Sequence, residues 1–389
     1  MPGLLIVTTV PATIRAFLLP YADFFRQKGW TVGAMASGAA SFRELAVHFD
    51  EVFDANWSRN PLDPANLREC ASVREAVRRG AYDIVHVHTP VAAFVTRMAL
   101  RKLRGPCGVK VVYTAHGFHF YNGGPALRNI AFRTLERLAG RWTDRLVVIN
   151  REDFEAAGKY RIATDSALTY MPGIGLDFSM YSDATGRQDE TDTIRGELGL
   201  SCNDVLFTMI AEFIPRKRHR DAIEALSLTK RKGIHIAFAG SGPLLEKMKD
   251  MANNLGLGHR ARFLGFRNDI PALLRASRAT ILTSAHEGLA RSLMESACLG
   301  TPIIGADARG IRDVVLPDRG LLYPTGDAFA LRDALIRVAE DPLPPAKPDP
   351  EWRIENLLAK HEAMYEELLE ESRSDISGKK NEANSCLSS

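Results

Sequence analysis

Glu287 and Glu295 stand eight positions apart in the string His286-Glu287-Gly288-Leu289-Ala290-Arg291-Ser292-Leu293-Met294-Glu295, which runs into Ser296-Ala297-Cys298-Leu299-Gly300-Thr301-Pro302. Apolar runs flank it, Ala279–Thr283 before and Pro302–Ile304 after. The order predicts strand, short loop, helix and strand of a parallel α/β unit. Ligands of such sheets bind beyond the carboxyl ends of the strands. That places Glu287 and Gly288 in a binding loop, and the backbone N–H groups of Leu289, Ala290 and Arg291 at a helix N-terminus as free donors to an anion. A helix that begins near Leu289 carries Glu295 about two turns in, roughly 80° around from position 287. Carboxylates accept pairs of hydroxyl hydrogens. One of these two can then face a sugar and the other a ribose, with a diphosphate between them on the N–H groups. The spacing alone fits two surface acids on a crossover helix equally well, and it is the surrounding string that sharpens it.

A second constellation follows the apolar run Val205–Ala211. Pro215-Arg216-Lys217-Arg218-His219-Arg220 sets four cations at the start of a helix over His219–Leu228. Cations beside a helix N-terminus suit the two negative charges of a diphosphate, although a solvated basic loop has the same composition. Gly240-Ser241-Gly242-Pro243 and Gly265-Phe266-Arg267 each end a strand, as tight turns also do. In the first half, Thr114-Ala115-His116-Gly117-Phe118-His119-Phe120-Tyr121-Asn122-Gly123-Gly124 has the length, glycines and aromatics of a binding loop. His86 and His88 alternate along one strand without an Asp or Cys at ligand spacing, which favours packing or an acceptor-side role over a metal.

The Glu287–Glu295 string resembles the E-x7-E signature of glycosyltransferase family 4, in its bacterial capsule and exopolysaccharide branch, and the likeness covers residues 4 to 370. Ala290 stands where that branch commonly has Pro, which would free one more N–H. The resemblance implies the GT-B fold: α/β, two doubly wound Rossmann-like domains facing a central cleft, with a C-terminal helix crossing back to the first. It implies a donor site of Arg216, Lys217, Gly242, Phe266, Arg267, Gly288, Leu289, Ala290, Arg291 and Glu295. Lys217 matches the phosphate-binding lysine, while Glu212 replaces an arginine that many members carry. The Gly265-Phe266-Arg267 backbone would read uracil. His116-Gly117 matches the active-site His-Gly, so His116 and Glu287 are the catalytic candidates. The loop Val10–Phe17 lacks the Gly-Gly of many members, and Thr13, Ile14 and Arg15 would border the acceptor, together with His88 and Asn122.

The implied reaction is transfer of a sugar, with retention of configuration, from a nucleotide diphosphate (UDP foremost) to a hydroxyl of a lipid-linked saccharide. No Asp-x-Asp follows a strand, so no metal and no cofactor are expected. A nucleotide-sugar 2-epimerase and a non-catalytic sugar-nucleotide-binding protein are rival readings on the same architecture.

The 389 residues, 46% hydrophobic and 25% charged, describe a soluble two-domain protein. Five scattered cysteines, with no CxxC, fit a reducing cytoplasm. No signal peptide precedes Leu4–Val10, and no apolar run reaches membrane-spanning length. Residues 1–180 carry 22 Lys+Arg against 16 Asp+Glu, and residues 181–389 carry 28 against 31. A basic first half suits an anionic acceptor or peripheral contact with anionic lipid, and also an ordinary solvated face. Nucleic acid is excluded by the lack of any aromatic-interleaved basic run. Alternating strands and helices predict two domains, over 1–180 and 186–345, and the resemblance implies that the first binds acceptor and is joined by the helix 351–371 while the second binds donor. The polar residues 373–389 are expected to be disordered.

Overall fold

The computed structural model describes residues 1–386 except 59, 61–62, 105–107 and 183–186, and no side chains of 182–188 or beyond 373. The chain divides into two compact units, one of Met1–Ile174 with Glu355–Ser389 and one of Gly175–Ile354. The division falls at Ile174, a few residues ahead of the boundary between 180 and 186 expected from sequence, where 183–186 lie outside the described residues.

The first unit is built on a seven-stranded sheet: β1 (Gly3–Val7), β2 (Thr31–Ala36), β3 (Glu51–Asp54), β4 (Ile84–His88), β5 (Lys110–Ala115), β6 (Arg145–Val148) and β7 (Leu168–Tyr170). All neighbours pair in parallel, in the order β3-β2-β1-β4-β5-β6-β7. Every residue of β1, β4 and β5 is buried, as a parallel sheet covered by helices on both faces demands. Residues 11–17, expected to be a loop, are a helix (Pro11–Phe17) that opens on a proline, whose fixed φ suits the first helical position. Ile14 is fully buried in it, and Arg15 points to solvent against Glu44 at 3.6 Å. Ile14 therefore belongs to the core rather than to an acceptor border.

The last helix, Ile354–Cys386, completes this unit. Its Tyr365 ring packs on Phe25 and Trp30, with centroids 5.1 and 6.0 Å away. Its backbone runs past the expected end at 371. The disordered tail expected over 373–389 falls almost wholly on side chains that are not described. Among the described residues, no helix is long and apolar enough to cross a membrane.

The second unit carries six parallel strands: β8 (Val205–Ile210), β9 (Ile234–Ala239), β10 (Ala261–Gly265), β11 (Ala279–Leu282), β12 (Ile303–Ala306) and β13 (Gly320–Tyr323). Their order is β10-β9-β8-β11-β12-β13, so the winding reverses between β8 and β11. Loops leaving the carboxyl ends of these two strands flank the crevice in which such sheets hold ligands. The glycines after β9 are there for close backbone approach. Gly240 (φ +152°) and Gly242 (φ +146°) lie against the loop after β8, where a Cβ would meet Ala211 O at 2.0 Å and Phe213 N at 2.7 Å. Phe213 N–H donates to Ser241 O (2.8 Å) and Leu244 N–H to Phe213 O (3.0 Å), clamping the two loops together. Gly240→Ala should cost about 2–4 kcal/mol through this clash and strained φ, read as a lower melting temperature with the first unit's helical signal intact.

Candidate nucleotide-sugar site

Arg216, Lys217 and Glu287 meet at the point where the second sheet reverses. Thr283, just beyond β11, donates its hydroxyl to Lys217 O (2.7 Å) and Arg218 O (3.0 Å). Ala285 N–H donates to Arg216 O (2.9 Å). These bonds fix the loop after β8 against the loop after β11. They leave Lys217 Nζ 2.6 Å from Glu287 Oε1, and Arg216 Nη1 2.6 Å from Glu287 Oε2 and 3.1 Å from His286 O.

Glu287 is 6% exposed. Burial works to raise its carboxyl, but Lys217 and Arg216 outweigh it, and the group lies below the usual carboxylate range. A buried carboxylate with a cation on each oxygen is a fixed anion, and the cations project from one edge of the switch point.

A third loop, unforeseen from sequence, holds Glu287 from behind. Glu287 N–H donates to Arg309 O (2.9 Å), and Arg309 Nε returns a bond to Glu287 O (3.2 Å). Gly310 (φ +73°) presses against the same segment, where a Cβ would lie 2.5 Å from Gly288 O. Only the Gly at 310, just past β12, could have signalled this contact. The Ala290 N–H, expected to be free for an anion, donates to Gly310 O (3.1 Å). It is already used, and it drops from the set of free donors.

The helix begins at Arg291, at the late end of the Leu289–Arg291 stretch, and ends at Cys298. Glu295 therefore lies about one turn in rather than two. Arg291 Nε donates to Glu295 Oε1 (2.9 Å), and the Tyr181 hydroxyl meets the same pair, a contact with no signature in the sequence. Phe266 is 77% exposed, a ring open to stacking. Arg267 is drawn away from such a role, since Asp269 and Glu197 both bind its guanidinium.

In the first unit, the half-buried His116 follows β5 and joins a stack with the buried imidazoles of His86, His88 and His361. His88 Nδ1 lies 3.0 Å from His116 Nε2, and the His88 ring packs on His86 at 4.1 Å. His86 shares hydrogen bonds with Thr114 Oγ1 (2.7 Å) and the Tyr365 hydroxyl, and its ring stacks on His361 at 5.6 Å. Burial, with repulsion among the rings, pushes His116 and His361 down to about 4 and His86 and His88 well below the ordinary value. All four are neutral at neutral pH. His88 is thus an orienting partner of His116, not an exposed acceptor-side group. Asn122 lines a surface cleft with Asn129, Arg133 and Lys159.

Comparison with known proteins agrees with this geometry. The family description "Glycosyl transferases group 1" matches residues 190–353, and "Glycosyltransferase Family 4" matches residues 18–168. A putative glycosyltransferase of Bacillus subtilis, EpsD, is 32% identical over 335 residues, covering 85% of this chain and 86% of that one. The chain belongs to glycosyltransferase family 4. Another relative, 28% identical over 71% of each chain, is the Escherichia coli UDP-Gal:alpha-D-GlcNAc-diphosphoundecaprenol alpha-1,3-galactosyltransferase. Among solved structures, Anabaena HepE in complex with UDP and glucose superposes with a TM-score of 0.70 at 22% identity, covering 88% of this chain and 90% of that one. A sucrose-phosphate synthase from Thermosynechococcus elongatus reaches 0.78 at 16% identity, covering 95% and 99%. The fold of this family-4 enzyme is GT-B, as its residues led one to expect.

Two pH windows follow. The unfolded chain binds protons on histidine below about pH 6.5, whereas the stacked rings stay neutral down to about 4. Stability should therefore fall as pH drops between those values. Glu287, whose folded pKa is lowered, stabilises above its unfolded value near 4.3 and loses that contribution only below it. Urea melts from pH 7 to 3 should show the first loss reduced in His116→Gln and the second reduced in Glu287→Gln.

Proposed function

We propose that this glycosyltransferase holds a nucleoside diphosphate sugar, UDP-linked, on its second unit and transfers the sugar with retention of configuration to a hydroxyl of a lipid-linked saccharide. The observation that carries the reading is the pairing of Arg216 and Lys217 on one buried carboxylate at the sheet's switch point. A diphosphate bound there competes with Glu287 for those cations. The cations turn to the phosphates, and Glu287 is left to accept hydroxyl hydrogens of the sugar. Glu295, poised between Arg291 and Tyr181, takes the ribose hydroxyls. Phe266 flanks the base beside the Gly265 turn, and Gly242, Gly288, Leu289 and Arg291 border the phosphates. The E. coli relative's name, with its UDP-galactose donor and diphosphoundecaprenol acceptor, supports the donor and acceptor classes.

In the reaction the sugar C1–O bond to the β-phosphate breaks and a C1–O bond to the acceptor forms on the same face. The acceptor proton passes to the departing phosphate oxygen. Negative charge grows on that phosphate as the bond lengthens, so Lys217 and Arg216 bind the transition state more strongly than the ground state. No metal is assigned a part in this scheme. His116, neutral and fixed by His88, is the catalytic candidate of the first unit, with a hydrogen-bonding group rather than a charge to offer.

Calorimetry with UDP, GDP and their sugars tests the donor site. UDP should bind, and Lys217→Ala should weaken it at least tenfold, a loss of about 1.4 kcal/mol. Glu295→Ala should also weaken donor binding, whereas His116→Ala should spare it and lower turnover. No uptake of any nucleotide, or equal near-wild-type behaviour of all three variants, would overturn the assignment. Conversion of the donor to its 2-epimer without acceptor would make the enzyme an epimerase instead.

A further inference from the structure

The helix Ala126–Gly140 turns an apolar stripe outward. At about 100° per residue, Leu127, Ala131, Thr134 and Leu138 form one stripe along it, with Ile130 and Leu135 at its edges. Leu127 is 85% exposed, Ile130 53%, Leu138 40% and Leu135 39%. The opposite face, which packs inward, mixes Phe132 and Ala139 with the polar Asn129, Arg133 and Glu136. Glu136 is buried against Arg97 Nη2 at 2.9 Å, and the Arg133 guanidinium lies 4.6 Å from the centre of the Tyr160 ring. Surface helices ordinarily turn their apolar stripe to the core, so an outward stripe is a surface built to meet something.

The charges beside it narrow the occupant. Arg128 and Arg137 flank the stripe and Arg141 closes its end, all exposed. The neighbouring helix Pro90–Leu100 leads into exposed Arg101 and Lys102, and Arg101 sits over Trp142, which follows the stripe. The one acid of the helix, Glu136, faces inward, and nearby Asp144 is bound by Arg104. Among the described residues, the carboxyl half of the stripe is rimmed by Arg137, Arg141, Arg101 and Lys102, while Glu152 and Glu155 lie beside Asn129 and Arg133 on the inward side of its amino half.

We infer that this helix lies on an anionic phospholipid surface, its leucines and isoleucine among the acyl chains and its arginines among the headgroups. A second copy of the chain fits less well. A twofold contact sets the same patch against itself, bringing these arginines together, and one 15-residue helix face falls short of the roughly 800 Å² that each partner of a standard interface buries. The inference deepens the proposed lipid-linked acceptor by naming the element that brings the enzyme to the bilayer.

The test needs no sugar. The full-length protein is sedimented with phosphatidylcholine vesicles with and without phosphatidylglycerol, and wild type is compared with L127D/L138D, whose two sites are solvent-exposed and so tolerate a charge. Wild type should bind only the anionic vesicles, with binding weakened as salt rises from about 0.1 M to about 0.5 M. The double variant should lose about tenfold in affinity while taking up UDP as wild type does, which separates this result from failure of the donor site. Equal sedimentation of the two proteins, no binding of wild type to anionic vesicles, or a wild-type dimer that the variant turns into a monomer would overturn the inference.

Discussion

Arg216 and Lys217 share a carboxylate from which water is largely excluded, and the surrounding loops are arranged around that fact. A buried anion is tolerated only when its charge and its lone pairs are met. Glu287 meets the condition with one cation on each oxygen, but the cations come from a loop 70 residues away in sequence. Holding them there requires Thr283 to grip the carbonyls of Lys217 and Arg218, and Ala285 to grip that of Arg216. It also requires Arg309 and Gly310 to brace the Glu287 backbone from the other side. Three loops from the carboxyl ends of β8, β11 and β12 are therefore tied to one charge, and none can move without loosening the others.

Glu287 also orders the two cations, so under the proposed function a phosphate that took its place would cost little side-chain entropy. The exchange would be between two anionic partners, with the loop contacts kept. In the first unit a different economy operates. Four imidazoles are kept neutral by burial and by one another, giving His116 a fixed ring orientation without a fixed charge.

Much of this was legible in the residues. Uninterrupted apolar runs such as Leu4–Val7 and Val111–Tyr113 announce strands buried on both faces, and the Glu287–Glu295 string announces its own loop and helix. What escaped lay in contacts that sequence order hides. β3 is four residues bounded by Glu51 and Asp54, too short and too polar at its ends to stand out. The helix Pro11–Phe17 was hidden because Thr13 and Ile14 are β-branched, a weak local preference that burial of Ile14 overrides. Ala290 looked like a gained free donor because Gly310, 20 residues on, follows the neighbouring strand β12, and sequence order does not show its carbonyl reaching back. Tyr181 and Glu295 are likewise distant in sequence and joined only by the fold.

The first unit is discontinuous: its sheet is finished by residue 170, yet Tyr365 and His361, which cover His86 and pack on Phe25 or Tyr21, belong to the final helix. On the ribosome, the segment Gly175–Ile354 emerges before that helix does. The first unit therefore stays unfinished, with the aromatic residues near its amino terminus uncovered, until the last stretch of chain is released.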